Sequence, residues 1–287
     1  MFEKIDLHMH STFSDGTDTP EILLNNVKSM GVGMFALTDH DAYAGCIEMR
    51  KYLKDGDPLF INGVEFSTED EKGKYHVVGL GFDLDSKYMK EMTETFHQIR
   101  VSKARNRINF LRSELGLKIT EEDEKWILSQ NNPGKPHIGR VLVDNGYALN
   151  ISDAIQQYVI RYKEVERKMT PEEAIDTILR SGGIPVLAHV PFGDGGQDLT
   201  DEEVENRVVR FKKLGLLGVE GFYSDYSKHD SELMLSLASK YSLYVSAASD
   251  YHGKNKKIGI GEVGPYDTEK QHYLLEPLIN ELAGRKG

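Results

Sequence analysis

A single cysteine, Cys46, occurs in the 287 residues. No internal disulfide can form, a reducing compartment is the natural setting, and Cys46 itself reads as a small buried hydrophobe. No stretch approaches the ~18 consecutive apolar residues of a membrane-spanning helix. The chain enters a strand-like pattern with no apolar leader, so a cytoplasmic protein without membrane contact is expected. Basic residues are also short: 35 Lys and Arg stand against 46 Asp and Glu, a net charge of −11. That balance excludes a general nucleic-acid coating protein. There is no Gly-x-Ser-x-Gly elbow, no reactive-cysteine motif and no aromatic run on which bases could stack. Internal repeats and low-complexity segments are missing too.

What is present is an alternation of strand and helix signals. "EKIDLHMH" reads as a strand, and "TPEILLNNVKSMG" as a helix with Thr19 as N-cap, Pro20 at the first helical position and Gly31 at the stop. "MFALTDH", "PLFINGVEF" and "YHVVGLGF" follow as strands, with "AGCIEMRKYLKDG" as the second helix. Such alternation argues for a mostly parallel sheet or barrel. The rhythm breaks between Ser86 and Ser181, where helical patterns take over, including one from Lys87 to Gly116 and a capping signature at Thr120. It resumes with "GGIPVLAHV", "LLGVEGFY" and "LYVSAASDYHG". The expected organisation is a barrel over residues 1–85 and 171–287, with a helical insertion over 86–170 acting as a lid. From Phe96 to Thr170 thirteen Lys and Arg face nine Asp and Glu, leaving −15 on the remainder, so the insertion is the part suited to an anion.

Function in a barrel of this kind gathers where the strands end. The first strand carries His8 and His10, two residues apart and so on one face. Asp39 and His40 end the second, Glu65 the third, and His76 opens the fourth; His189 follows "IPVLA" and Asp250 and His252 close the last. One histidine at a strand end means little. Six of them with carboxylates at the same end form the donor set of Zn²⁺, Mn²⁺ or Fe²⁺.

The motifs "DLHMHSTFSDG", "LTDHD", "GVEFS", "LAHV" and "SDYHG", with a strand histidine between, resemble those of the PHP family, named for polymerase and histidinol phosphatase domains. They occur here in order, and "KPHIGRVLVDNG" resembles the branch directed at nucleotides. The resemblance implies a distorted (β/α)7 TIM-like barrel and two or three divalent metals. His8, His10, Glu65 and Asp250 would hold the first, and Asp15, His40 and His252 the second. Glu65 would bridge to a third completed by His76 and His189. Asp15 stands where several branches have histidine, and Ala42 where threonine is usual.

Closely spaced divalent metals suit phosphate ester hydrolysis, because they activate a water and clamp both ends of an in-line displacement. Asp15 or His252 could add a general acid, a role inseparable here from ligation. Arg140 is the expected phosphate holder, since a guanidinium grips phosphate bidentately, with His137 and Lys135 on the same segment as weaker choices. Arg100, Lys103 and Arg107 share one face of the long helix, most simply a solvated face, alternatively an RNA-backbone contact. The leading expectation is a phosphatase releasing phosphate from AMP or a 3′,5′-nucleotide bisphosphate. The alternatives are a 5′-to-3′ exoribonuclease on short RNA, a histidinol phosphatase, and a non-catalytic metal-binding regulatory module. No stable protein partner is expected.

Overall fold

The computed structural model describes residues 4–193, 196–264 and 268–285. The chain forms two compact units, one of residues 1–93 with 168–287 and one of residues 94–167.

The first unit is built on a seven-stranded sheet in chain order: β1 (Ile5–Asp6), β2 (Met34–Leu37), β3 (Leu59–Asp70), β4 (Gly73–Leu80), β5 (Ile184–Leu187), β6 (Gly218–Tyr223) and β7 (Tyr244–Ala248). The sheet curls into a nearly closed barrel. The Leu7 N–H donates to Ala247 O at 2.8 Å, Asp250 N–H to His8 O at 2.9 Å and His10 N–H to Tyr251 O at 2.9 Å, so the last strand returns to the first. Strands β2, β5 and β6 are buried along their whole length, as expected where helices cover a parallel sheet. Helices α1 (Pro20–Ser29) and α2 (Ala44–Met49) follow β1 and β2. Thr19 caps α1 through its side chain with Pro20 in the first turn, as the sequence pattern predicts.

β4 departs from the parallel pattern by running antiparallel to both β3 and β5. The reason is local. Asp70 pairs with Gly73, leaving only Glu71 and Lys72 in the turn, and two residues can form a hairpin but never a parallel crossover. Reversal has a functional result. His76 lies near the start of β4 opposite Ser67, which puts it at the end of the barrel where its parallel neighbours finish.

After α3 (Lys87–Ser113) come α4 (Glu121–Leu128), α5 (Lys135–Asp144), α6 (Ile151–Gln157) and α7 (Pro171–Arg180). The second unit takes α3 from Glu94 together with α4 to α6 and has its own core, with Ile108, Leu111, Ile127, Ile138, Leu142 and Val159 among its members. α7 belongs to the barrel, where it packs on β3, β4 and β5. Helices α8 (Asp201–Lys213), α9 (Lys228–Tyr241) and α10 (Thr268–Gly284) complete the chain. Among the described residues no helix is long and apolar enough to cross a membrane.

Cys46 lies in the barrel's apolar core with Phe35, Leu37 and Met49, its Sγ 3.3 Å from the carbonyl oxygens of Leu37 and Gly63. Burial pushes its thiol up to about 12. A thiol raised in this way stays protonated at pH 8 while the fold holds. A disulfide reagent is therefore expected to leave the native protein unlabelled and to titrate one thiol in urea. Stoichiometric labelling of the native protein would contradict this placement.

Candidate metal centre

Ligand candidates converge because the segment after each strand turns its polar side chain inward. After β1, Leu7 and Met9 point into the core while His8 and His10 face the barrel axis, all four buried. The loop that follows is folded around Asp39. Its carboxylate accepts hydrogen bonds from the Ser11 N–H (2.8 Å), Ser11 Oγ (2.8 Å) and Ser14 Oγ (2.7 Å). Asp39 therefore positions the Asp15 loop and stays outside the ligand groups. Gly16 is required by close approach: a Cβ there would lie 2.4 Å from the His10 carbonyl oxygen.

Three overlapping groups of ligand atoms each lie within 4.8 Å: His8, His10 and Glu65; His10, Asp15, His40 and His252; and His40, Glu65 and His76. Glu65 is the hub. Its Oε2 lies 3.2 Å from His8 Nε2, 3.1 Å from His10 Nε2 and 3.1 Å from His40 Nδ1. The other oxygen, Oε1, lies 2.9 Å from His76 Nδ1 and 3.3 Å from His189 Nε2. Asp250 Oδ1 approaches His8 Nε2 at 3.6 Å and His10 Nε2 at 3.2 Å. Asp15 Oδ1 lies 3.3 Å from His252 Nε2, and its Oδ2 3.8 Å from His40 Nε2. All nine ligand candidates thus meet in one place: His10, His40 and Glu65 are each shared between two groups, and His189 and Asp250, outside the three groups, join through Glu65 and through His8 and His10.

The donor chemistry fits divalent metals. His8 Nε2 and His10 Nε2 face each other at 3.1 Å, as do His76 Nδ1 and His189 Nε2 at 3.2 Å. Two nitrogens on one tetrahedral metal at 2.0–2.1 Å stand roughly 3.3 Å apart, so each pair has the spacing of two ligands on one ion. Charge points the same way. Asp15, Glu65 and Asp250 converge here with no arginine in contact, and Lys256 Nζ on Asp250 is the one ammonium touching them among the described residues. Neutralisation must come from protons on the imidazoles or from bound cations.

Without metal, the imidazoles take that load unequally. Burial pulls His10 down, but Asp250 and Glu65 outweigh it and bring it to about 9. Burial wins at His40, with His10 and His76 adding repulsion, and lowers it to about 3 despite Glu65 and Asp15. Glu65 is driven up by burial yet held well below the usual carboxylate range by His8, His40 and His76. The backbone is strained as well: Asp41, His189 and Asp250 occupy the left-handed region, at φ 53°, 33° and 57°. Such non-glycine outliers collect where surrounding structure enforces a functional geometry.

Three supporting side chains lie outside the ligand motifs. Glu220, in the middle of β6, lies 2.6 Å from His8 Nδ1 through Oε1 and accepts from the His189 N–H at 2.6 Å through Oε2. The Tyr223 hydroxyl donates to Asp250 Oδ2 at 2.8 Å, and Lys256 completes that carboxylate's surroundings. A glutamate inside the apolar strand "GVEGFY" was the one readable signal of the first.

The expected phosphate holders lie on α5. Arg140 is exposed and forms no hydrogen bond or ion pair among the described residues, so the i,i+4 pair with Asp144 is not made. His137 Nδ1 accepts from the Gly134 N–H at 3.2 Å and so caps its own helix, while Lys135 is exposed. The solvated face expected of Arg100, Lys103 and Arg107 needs correction. Arg107 is buried, and both it and Lys103 pair with Glu164. Their charge is spent inside the second unit, because Glu164 sits across from that helix face.

Residues 6–169 match the PHP domain family, and the chain belongs to it. A 3′,5′-nucleoside bisphosphate phosphatase of Chromobacterium violaceum is 28% identical over 98% of this chain and 97% of its own. The 5′-3′ exoribonuclease Rnm of Salmonella typhimurium is 32% identical over 94% of this chain and 95% of its own. A solved protein of Bifidobacterium adolescentis, provisionally described as a metal-dependent phosphoesterase, superposes with a TM-score of 0.79 at 26% identity, covering 99% of this chain and 96% of that one.

Proposed function

We propose that this protein is a metal-dependent phosphoesterase that hydrolyses phosphate monoesters of small nucleotides, AMP or 3′,5′-nucleotide bisphosphates. The observation that carries the proposal is Glu65, a buried carboxylate whose two oxygens divide five imidazoles between them. On this proposal His8, His10, Glu65 and Asp250 would hold one metal. Asp15, His40 and His252 would hold a second, and His76 and His189 would join Glu65 in holding a third. When bound, Mn²⁺, Fe²⁺ or Zn²⁺ there supplies Lewis acidity and a water activated near neutral pH.

The protein's own residues supply orientation and a proton. The ring nitrogen His252 Nδ1 lies 2.8 Å from the Asp250 carbonyl oxygen. A proton on Nδ1 donated to that carbonyl fixes the tautomer and turns Nε2 toward Asp15. The Asp15 side chain is 39% exposed, against 2% for Glu65 and 6% for Asp250, so it is the carboxylate among the ligand candidates that is open to an entering substrate. Asp15 and His252 are accordingly assigned to the leaving oxygen. Lys256 places an ammonium beside Asp250, where phosphoryl oxygens would need countercharge.

The resemblance of "KPHIGR" and the positive charge of the insertion support Arg140 as the outer phosphate holder and residues 86–170 as a lid. Arg140→Ala is expected to raise KM about 10- to 100-fold, the loss of one charge-assisted bidentate contact, with kcat changed less. An unchanged KM would remove Arg140 from the site.

The likeness to the Salmonella exoribonuclease supports a second proposal, 5′-to-3′ removal of nucleotides from short RNA. The pairing of Lys103 and Arg107 with Glu164 weighs against it, since it removes two cations from a backbone track. The test is phosphate release by Mn²⁺-reconstituted protein from AMP, adenosine 3′,5′-bisphosphate, histidinol phosphate and a 5′-phosphorylated RNA oligomer. Turnover confined to the mononucleotides supports the phosphatase. Shortening of the oligomer at equal or better efficiency overturns it in favour of the exonuclease.

A further inference from the structure

Glu220 is a charged residue inside a strand with no exposed position, and it is only 1% exposed itself. Its two oxygens serve different parts of the chain. Oε1 meets the His8 ring at Nδ1 beyond β1, and Oε2 meets the His189 backbone N–H beyond β5, both at 2.6 Å. β1 and β5 are not neighbours in the sheet, so no backbone ladder links these two segments directly.

We infer that Glu220 is a positioning residue that fixes the His8 tautomer and the His189 backbone together, tying the first and third proposed metal positions into one rigid site; the inference rests on the phosphoesterase proposal above. An ionised carboxylate only accepts hydrogen bonds. His8 must then donate from Nδ1, and as a neutral ring it would keep its lone pair on Nε2, the atom that faces Glu65, Asp250 and His10 Nε2. The other oxygen holds the amide of a residue at φ 33°, a conformation uncommon outside glycine. That turn presents His189 Nε2 to Glu65 Oε1 and His76 Nδ1. One side chain therefore sets a proton on one ligand and a backbone angle on another.

Glutamine at this position is nearly isosteric yet cannot do both. Its oxygen accepts once in this geometry, and its NH2 group donates. With the oxygen on the His189 N–H, the NH2 faces His8 Nδ1, which must become the acceptor; the His8 proton then moves to Nε2, where a metal would bind. With the amide turned the other way, the His189 N–H meets a second donor and is left unsatisfied. Glu220→Asp keeps two acceptors on a shorter arm.

The test uses the full-length protein, stripped of metal and reloaded with Zn²⁺. Metal affinity is read by competition with a chromophoric chelator, and the His8 tautomer by [15N]histidine NMR, assigned with His8→Ala. Glu220→Gln is expected to weaken at least one zinc equivalent about 10- to 100-fold, the range seen when a ligand's outer partner is lost. Glu220→Asp should recover part of that loss, and the zinc-loaded wild type should show His8 protonated at Nδ1. Wild-type affinities in Glu220→Gln, or a wild-type His8 protonated at Nε2, would overturn the inference. Were Glu220→Gln to misfold, the wild-type spectrum alone still decides. His8→Ala separates the two levels. If it too binds zinc like the wild type, the metal-site proposal fails; if it loses an equivalent while Glu220→Gln loses none, only the role of Glu220 fails.

Discussion

Glu65→Gln is expected to lower kcat/KM for phosphate release by about 10⁴-fold, some 5.5 kcal/mol of lost transition-state stabilisation, while the barrel stays folded. The size follows from the hub position. Asp250 faces three imidazoles and Asp15 three, whereas Glu65 faces five through two oxygens. The amide keeps the volume but loses the charge and one of the two acceptors. On the proposed assignment Glu65 would serve two metals, and a neutral amide would weaken both positions together. Steady-state kinetics with a mononucleotide, beside circular dichroism of the same preparation, checks the claim. A variant retaining more than a tenth of wild-type kcat/KM would show that Glu65 is not shared between metals.

Metal removal is the second large effect, and its readout is stability. Stripped protein must keep Glu65, Asp250, His8, His10 and His252 buried with only protons and the Lys256 ammonium to balance their charge. Metal at a thousand times its Kd adds about 4 kcal/mol to the folded state, if the unfolded chain binds it poorly. For a chain of this size that is an increase in Tm of roughly 8 °C. Thermal melts at stepped free Mn²⁺ should show Tm rising with the logarithm of metal concentration, and exhaustive chelation should bring it to a floor. A Tm indifferent to metal would mean that nothing binds the folded centre preferentially.

The strand-end ligands could be read from the sequence because each occupies an extended stretch whose apolar neighbours fix its direction. His8 and His10 alternate with Leu7 and Met9, and no fold that buries those two leaves the histidines elsewhere. The supporting side chains were harder to read. Tyr223 and Lys256 meet Asp250 through tertiary approach alone, and nothing in their local pattern distinguishes them from ordinary strand and loop residues. The reversed β4 was legible in principle from the two-residue turn, but the alternation of strands and helices masks it. The pairing of the basic face of α3 is illegible in the sequence for another reason. Its counter-ion, Glu164, lies 57 residues from Arg107, beyond any helical spacing rule. Arg140 marks the opposite case, in which the local pair with Asp144 is available and not used.

The return of β7 to β1 also bears on how the protein is made. Its seam joins His8 to Asp250 and His10 to Tyr251 by backbone bonds, so the two sides of the centre come from segments about 240 residues apart. Neighbouring strands β2 to β4 can pair as they leave the ribosome, since their contacts are close in sequence. His8 and His10 wait for Asp250 and His252, about 240 residues further along, until the barrel has closed. The proposed metal site therefore stays incomplete until β7 and the segment after it have been made and the seam has closed.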